Sequence, residues 1–288
     1  MQAFRAAVIL SVFVFLCLIL IPWQESALYF KLKRRKTFPN RFHGVLCKLF
    51  GLNLIVIGKP IQGRGVLMVA NHTSYFDILI LSGIARISFV AKSEVAGWPL
   101  FGTLARLQET VFVERAKRSK IGEVSDRIRE RLVEGDALML FPEGTSNDGN
   151  QVLPFKSALM GSVETEIGKD ANGNPIHVPV QPVSLAYIGL HGLPMGRENR
   201  PMFAWYGDME LMPHLWEAIK LGPIDVVIEF HQPITVDMTG GRKALAAQAE
   251  AIVRRGQARA LAGTYQSRPD TAGTAAPAEK SAFAEAAA

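Results

Sequence analysis

"GVLMVANHTSYFD", residues 65–77, decides how the chain is built. An apolar run of β-forming residues ends at Ala70, and five polar groups follow at once: Asn71, His72, Thr73, Ser74 and Asp77. In one regular helix His72 and Asp77, five positions apart, would point about 140° from each other. They can meet only if His72 lies in the turn before a helix and Asp77 in its first turn. Thr73 and Ser74 are residue types that cap such a start. The stretch therefore predicts strand, turn and helix, with a polar pair gathered at the junction.

The same arrangement recurs outward along the chain. Short β-rich runs are predicted at 52–57, 66–70, 87–91, 110–113, 137–141, 177–185 and 225–230. Helical patterns lie between several of them, at 41–51 ending on Gly51 and at 119–134, where Ile121, Val124, Ile128 and Leu132 make one apolar stripe. Strands alternating with helices predict an α/β fold, a sheet flanked by helices. An Ala-rich helix is expected over 242–263, followed by a low-complexity tail, 264–288, expected to be disordered. Two further polar junctions follow strands: "VFVER" delivers Glu114 and Arg115, and "FPEGTS" delivers Glu143, Gly144 and Thr145 in a tight turn. Polar residues at strand ends of such sheets converge in a crevice.

Residues 6–21, "AAVILSVFVFLCLILI", are apolar apart from Ser11. With Trp23 included the run is 18 residues, or about 27 Å of helix, enough to cross a hydrocarbon core with little tilt. Only Arg5 precedes it, whereas "KLKRRK" (31–36) follows, which opposes a secretory signal and keeps the remainder on the cytoplasmic side of an inner membrane. A hairpin that dips in and returns through "SALYF" is the other topology. The basic cluster is expected against anionic lipid headgroups. The expected organisation is an anchor with its juxtamembrane segment (1–36), one α/β domain (37–263) and the tail.

Composition narrows the classes. Two cysteines among 288 residues give no disulfide framework. A net charge of +6, pI ≈ 9.4 and a mean hydropathy of +0.16 fit a membrane-associated protein with an anionic partner. Nucleic acid is a poor partner, because the basic residues cluster beside the apolar run and not among aromatics. His177, His191, His214 and His231 show no metal-ligand spacing. No Gly-x-Ser-x-Gly elbow is present, which argues against an ester hydrolase.

Taken together, "NHTSYFD", "VFVER", "FPEGTS" and "HVPVQPVSL" resemble, in order, the four blocks of the glycerolipid acyltransferase family, which includes 1-acylglycerol-3-phosphate acyltransferases. The resemblance spans roughly residues 45 to 235. It implies an enzyme moving an acyl group from an acyl thioester, acyl-CoA or acyl carrier protein, to the free hydroxyl of a lyso-lipid, with no other cofactor. His72 would be the general base and Asp77 would orient its ring. Arg115 would bind the acceptor's anionic group, and Glu143, Gly144 and Thr145 would shape the acceptor subsite. Lys92 and Lys156 would add positive charge nearby. The family's breadth points to lysophosphatidate as acceptor. Ser146, standing where many phosphatidate-forming members carry Arg, removes one cation expected near that acceptor's phosphate, and "FAWYGDMELMPHLWEAIK" (203–220) looks like members that acylate a lyso-ornithine lipid, the alternative acceptor. A non-catalytic lipid-binding protein, in which His72 and Asp77 merely cap a helix, is the alternative of another class.

Overall fold

The computed structural model describes residues 1–114, 121–169, 173 and 175–265. The strands are β1 Leu52–Ile57, β2 Val66–Ala70, β3 Ser88–Lys92, β4 Val111–Val113, β5 Ala137–Leu140, β6 Glu166–Lys169, β7 Pro175–His177, β8 Val180–Leu190, β9 Leu193–Pro194 and β10 Ile224–Phe230. The helices are α1 Gln2–Tyr29, α2 Phe38–Phe50, α3 Phe76–Ile84, α4 Phe101–Leu107, α5 Ile121–Val133, α6 Leu211–Leu221, α7 Val236–Thr239 and α8 Arg242–Leu261.

Seven strands run in the order β1-β10-β8-β2-β5-β3-β4, with β9 paired to β8. From β8 to β4 every pairing is parallel, whereas β10 is antiparallel to β8 and β1 parallel to β10. The α/β sheet flanked by helices is thus as predicted, and the sheet is mixed. Its centre is β2, all five residues of which are buried, because both faces of the sheet are covered. Alternate residues serve alternate faces. Met68, Ala70, Leu185 and Tyr187 pack with α1, α2, α3 and α6. Leu67, Val69 and Leu138 pack on the other side with Val124, Ile128 and Leu132 of α5 and Leu245 and Ala249 of α8. The carboxyl ends of the parallel strands consequently share one edge, where the turns after β2 and β5 meet.

Two predicted boundaries shift. The strand expected over 177–185 is broken: β7 ends at His177 and β8 starts at Val180. Pro179 has no N–H to give the ladder, and its carbonyl instead accepts Leu67 N at 3.1 Å. β8 then continues to Leu190, beyond the predicted end. Helix α2 begins earlier than expected, at Phe38, and stops at Gly51, whose φ of +74° is the left-handed cap that glycine adopts without strain.

Helix α1 has 28 residues and is long and apolar enough to cross a membrane. It also lies along the domain. Ala6, Ile9, Phe13 and Cys17 are buried against it, Arg5 Nη1 donates to Ile219 O at 2.9 Å, and Gln24 Nε2 donates to Leu107 O and Arg35 O. Its other face exposes Val8, Phe15, Leu18, Ile19 and Trp23. Arg34, in the basic turn, sits 4.3 Å from the centre of the Trp23 ring, an amphipathic pairing suited to a headgroup layer. At the other end of the chain, Thr264 and Tyr265 follow α8, and the rest of the tail expected to be disordered lies outside the described residues.

Candidate active site

The turn after β2 is tied to β8 before it does anything else. Asn71 Oδ1 accepts Leu185 N at 2.9 Å, and Asn71 Nδ2 donates to Leu185 O at 3.0 Å. That clamp holds His72 at the carboxyl end of the central strand. Helix α3 then starts at Phe76, which brings Asp77 into its first turn. His72 Nδ1 and Asp77 Oδ2 lie 2.8 Å apart.

The cap differs from the sequence expectation. Neither Thr73 nor Ser74 caps α3 with its hydroxyl; the N-cap is Tyr75, without a side-chain bond. Asp77 instead ties the preceding turn to the helix's first turn: its Oδ2 accepts Thr73 N at 2.7 Å and Ser74 N at 3.0 Å. A carboxylate in that first turn also complements the helix dipole, which a hydroxyl does not. Asp77 is fully buried, and its Oδ1 accepts the Tyr187 hydroxyl at 2.6 Å. The Nδ1–H facing Asp77 leaves the His72 lone pair on Nε2. The imidazole also stacks on Phe141, with centroids 4.0 Å apart and planes 16° apart. Its side chain is 20% exposed, enough for a substrate to reach it.

The turn after β5 packs directly against the His72 turn. Glu143 Oε1 accepts His72 N at 3.1 Å, Oε2 accepts Asn147 Nδ2 at 2.7 Å, and Asn147 N donates to His72 O at 3.2 Å. Glu143 is 2% exposed. It braces the two turns together, and its burial pushes the carboxyl up to about 7 against the N–H groups that favour the charged form. Gly149 completes the loop at φ +76°; a Cβ there would meet Thr73 Cγ2 at 2.9 Å. Ser146 Oγ donates to Trp205 O, and Trp205 N donates to Thr73 O at 2.9 Å. Position 146 is therefore fastened to the aromatic segment that precedes α6.

Of the other expected site residues, Gly144 lines a cleft of about 730 Å³ at the ends of β4 and β5, together with Val113, Phe141 and Lys156. Thr145 is exposed beside it. Lys92 is the last residue of β3, on the same edge, with an exposed side chain. Arg115 lies outside the described residues; β4 ends two residues before it, at Val113. Sequence reasoning missed Tyr187, Asn147 and Phe141. Phe141 and Asn147 flank residues it did select, whereas Tyr187 is 110 positions from its partner and carried no local signal.

A second cavity, of about 870 Å³, opens behind the His72 turn. Phe13 of α1, Leu46 and Phe50 of α2, Ile78 of α3, Phe89 of β3 and Leu215 of α6 line it, and Tyr75 stands at its edge. Phe89 stacks on Phe141, the ring beneath His72, at 6.1 Å. An apolar space of the kind a fatty acyl chain fills thus lies beyond two stacked rings, Phe141 and Phe89, from the histidine.

Comparison with known proteins agrees with this arrangement. The family description "Acyltransferase" matches residues 53–186. A relative named lyso-ornithine lipid O-acyltransferase, from Brucella abortus strain 2308, is 46% identical over 87% of this chain and 92% of its own length. A 1-acyl-sn-glycerol-3-phosphate acyltransferase from Neisseria gonorrhoeae is 32% identical over 60% of this chain and 63% of its own. The crystal structure of the 1-acyl-sn-glycerophosphate acyltransferase PlsC from Thermotoga maritima superposes with a TM-score of 0.64 at 25% identity, covering 91% of this chain and 98% of that one. Likeness of this degree over nearly the whole chain removes the non-catalytic reading: the chain belongs to the acyltransferase family, and is an acyltransferase of the lysophospholipid type.

Proposed function

We propose that the protein transfers a fatty acyl group from an acyl thioester to the free hydroxyl of a lyso-ornithine lipid. His72 Nε2 removes the hydroxyl proton as the oxygen attacks the thioester carbonyl. The tetrahedral adduct then collapses, the C–S bond breaks, and the imidazolium returns the proton to the departing thiolate. Asp77 fixes the ring's tautomer and stabilises its charged form. The substrate alcohol is the nucleophile, so no enzyme serine is needed. The apolar cavity behind Tyr75 takes an acyl chain, Gly144, Thr145, Lys92 and Lys156 border the acceptor, and Arg115 binds its anionic group. Glu143 acts on that subsite indirectly, by holding its turn.

The acceptor assignment is carried by one observation, the 46% identity across 87% of the chain to a protein of that name. It moves the reading away from lysophosphatidate, which the family's breadth favoured. Ser146 agrees, because its hydroxyl is committed to Trp205 O and supplies no cation for a phosphate monoester. The catalytic domain works at the cytoplasmic face of the membrane, where α1 and "KLKRRK" hold it. The test is a competition between lyso-ornithine lipid and lysophosphatidate, with purified full-length protein in detergent and an acyl-CoA donor. Lyso-ornithine lipid should be preferred in kcat/KM by about tenfold or more; a preference for lysophosphatidate overturns the assignment.

A further inference from the structure

We propose that Tyr187 is a positioning residue of the acyl transfer, its phenol holding the second oxygen of Asp77 and so fixing how Asp77 aims His72. The inference rests on the reading of His72 as general base. The two Asp77 oxygens have separate duties. Oδ2 takes three donors from the His72 turn, at His72 Nδ1, Thr73 N and Ser74 N. Oδ1 takes the Tyr187 hydroxyl at 2.6 Å, the short distance of a charge-assisted O–H···O bond. The torsion that swings a carboxylate about its own axis is soft. A donor on Oδ1 resists that swing and keeps Oδ2 turned towards the imidazole.

Tyr187 is itself immobilised. It is 1% exposed, and its backbone carbonyl accepts Nε of the buried Arg200 at 3.1 Å. It stands two residues beyond Leu185, whose backbone clamps Asn71. One strand therefore grips the His72 turn at both ends, at Asn71 before His72 and at Asp77 after it. A phenylalanine would fill the same space, so packing alone does not call for the hydroxyl.

The titratable groups around this series of bonds are His72, Asp77, Glu143, Tyr75 and Cys47. Burial, and then the Asp77 charge, raise the Tyr187 phenol well above its ordinary value, so it stays a donor throughout the working pH range. By sharing the charge on Asp77 it lowers the field at His72. Removing the donor strengthens that field, stabilises the imidazolium and moves the acid limb of kcat/KM to higher pH. A more acidic phenol does the reverse.

The experiment uses full-length enzyme in detergent with an acyl-CoA donor, and lyso-ornithine lipid and lysophosphatidate as separate acceptors. It compares wild type, Tyr187→Phe, His72→Ala and protein carrying 3,5-difluorotyrosine at position 187, which keeps the ring and the hydroxyl should the Phe variant fail to fold. Tyr187→Phe should lose about ten- to a hundredfold in kcat with acceptor and donor KM within about twofold. Its acid limb should rise by about half to one pH unit, and that of the difluorotyrosine protein should fall. If the folded variants keep the wild-type acid limb while His72→Ala is inactive, Tyr187 is a packing residue and the inference fails alone. Activity retained in His72→Ala instead removes the base reading on which it rests.

Discussion

His72 is held on three sides: the Asp77 carboxylate at Nδ1, the Phe141 ring beneath it, and Glu143 at its backbone N–H. Replacing it with alanine should abolish transfer, by about 10² to 10⁴ or more, while the protein still folds; thiol release within a few-fold of wild type would remove the mechanism. Asp77→Asn should also be severe, because the neutral amide is a weaker acceptor, its NH2 cannot accept the Tyr187 hydroxyl, and it favours the wrong imidazole tautomer. Glu143 has a pH consequence of its own. Its folded value of about 7 lies above the ordinary 4.5, so the protonated form is the one folding favours. Its contribution to stability is whole below pH 4.5 and is lost as pH rises through about 7. Thermal unfolding of wild type and Glu143→Gln across that window should show the wild-type Tm falling more steeply. Parallel curves would mean that Glu143 stays charged in its buried site.

At the scale of elements, strand ends bring the site's side chains together, and the loops joining them border the proposed acceptor side. Gly149→Ala tests the packing of two loops, since the new Cβ would press on Thr73 Cγ2 from a backbone at φ +76°. A loss of about 1–3 kcal/mol in stability is expected, with activity reduced because Thr73 adjoins His72. Wild-type stability would mean that the loop shifts freely. Position 146 tests headgroup choice. Ser146→Arg breaks the tie to Trp205 O and adds a cation near the acceptor, so the ratio of lysophosphatidate to lyso-ornithine lipid turnover should rise. Arg115→Ala should weaken kcat/KM for the acceptor by about ten- to a hundredfold and leave the donor unaffected. If neither variant changes the ratio or the acceptor KM, headgroup selection lies elsewhere.

At the scale of the molecule, α1 is a wall of the domain as well as the proposed anchor. An anchor alone could be deleted at the expense of membrane attachment only. Phe13, however, lines the apolar cavity and packs on Phe50 at 5.9 Å, and Arg5 and Gln24 bond the domain near each end of the helix. Deleting residues 1–30 should therefore abolish activity even in detergent, besides leaving only salt-sensitive adsorption through "KLKRRK" to anionic vesicles. Flotation and thiol-release assays on the same preparation separate the two effects. Full activity in detergent would make α1 an anchor and nothing more.

What the sequence by itself determined is what short-range pattern encodes. Short β-rich runs marked β1, β2 and β10, the stripe through Val124, Ile128 and Leu132 marked α5, and the spacing from His72 to Asp77 required a turn followed by a helix. Each depends on residues within a few positions of one another, where backbone geometry dictates the outcome. Tertiary structure alone decided the rest. The strand order places β8 beside β2, so Tyr187 reaches Asp77 and Leu185 reaches Asn71 across more than a hundred residues. It also turned Glu143 inward and laid α1 along the domain. No periodicity records which strands become neighbours, because that choice is made by burying the whole apolar surface at once.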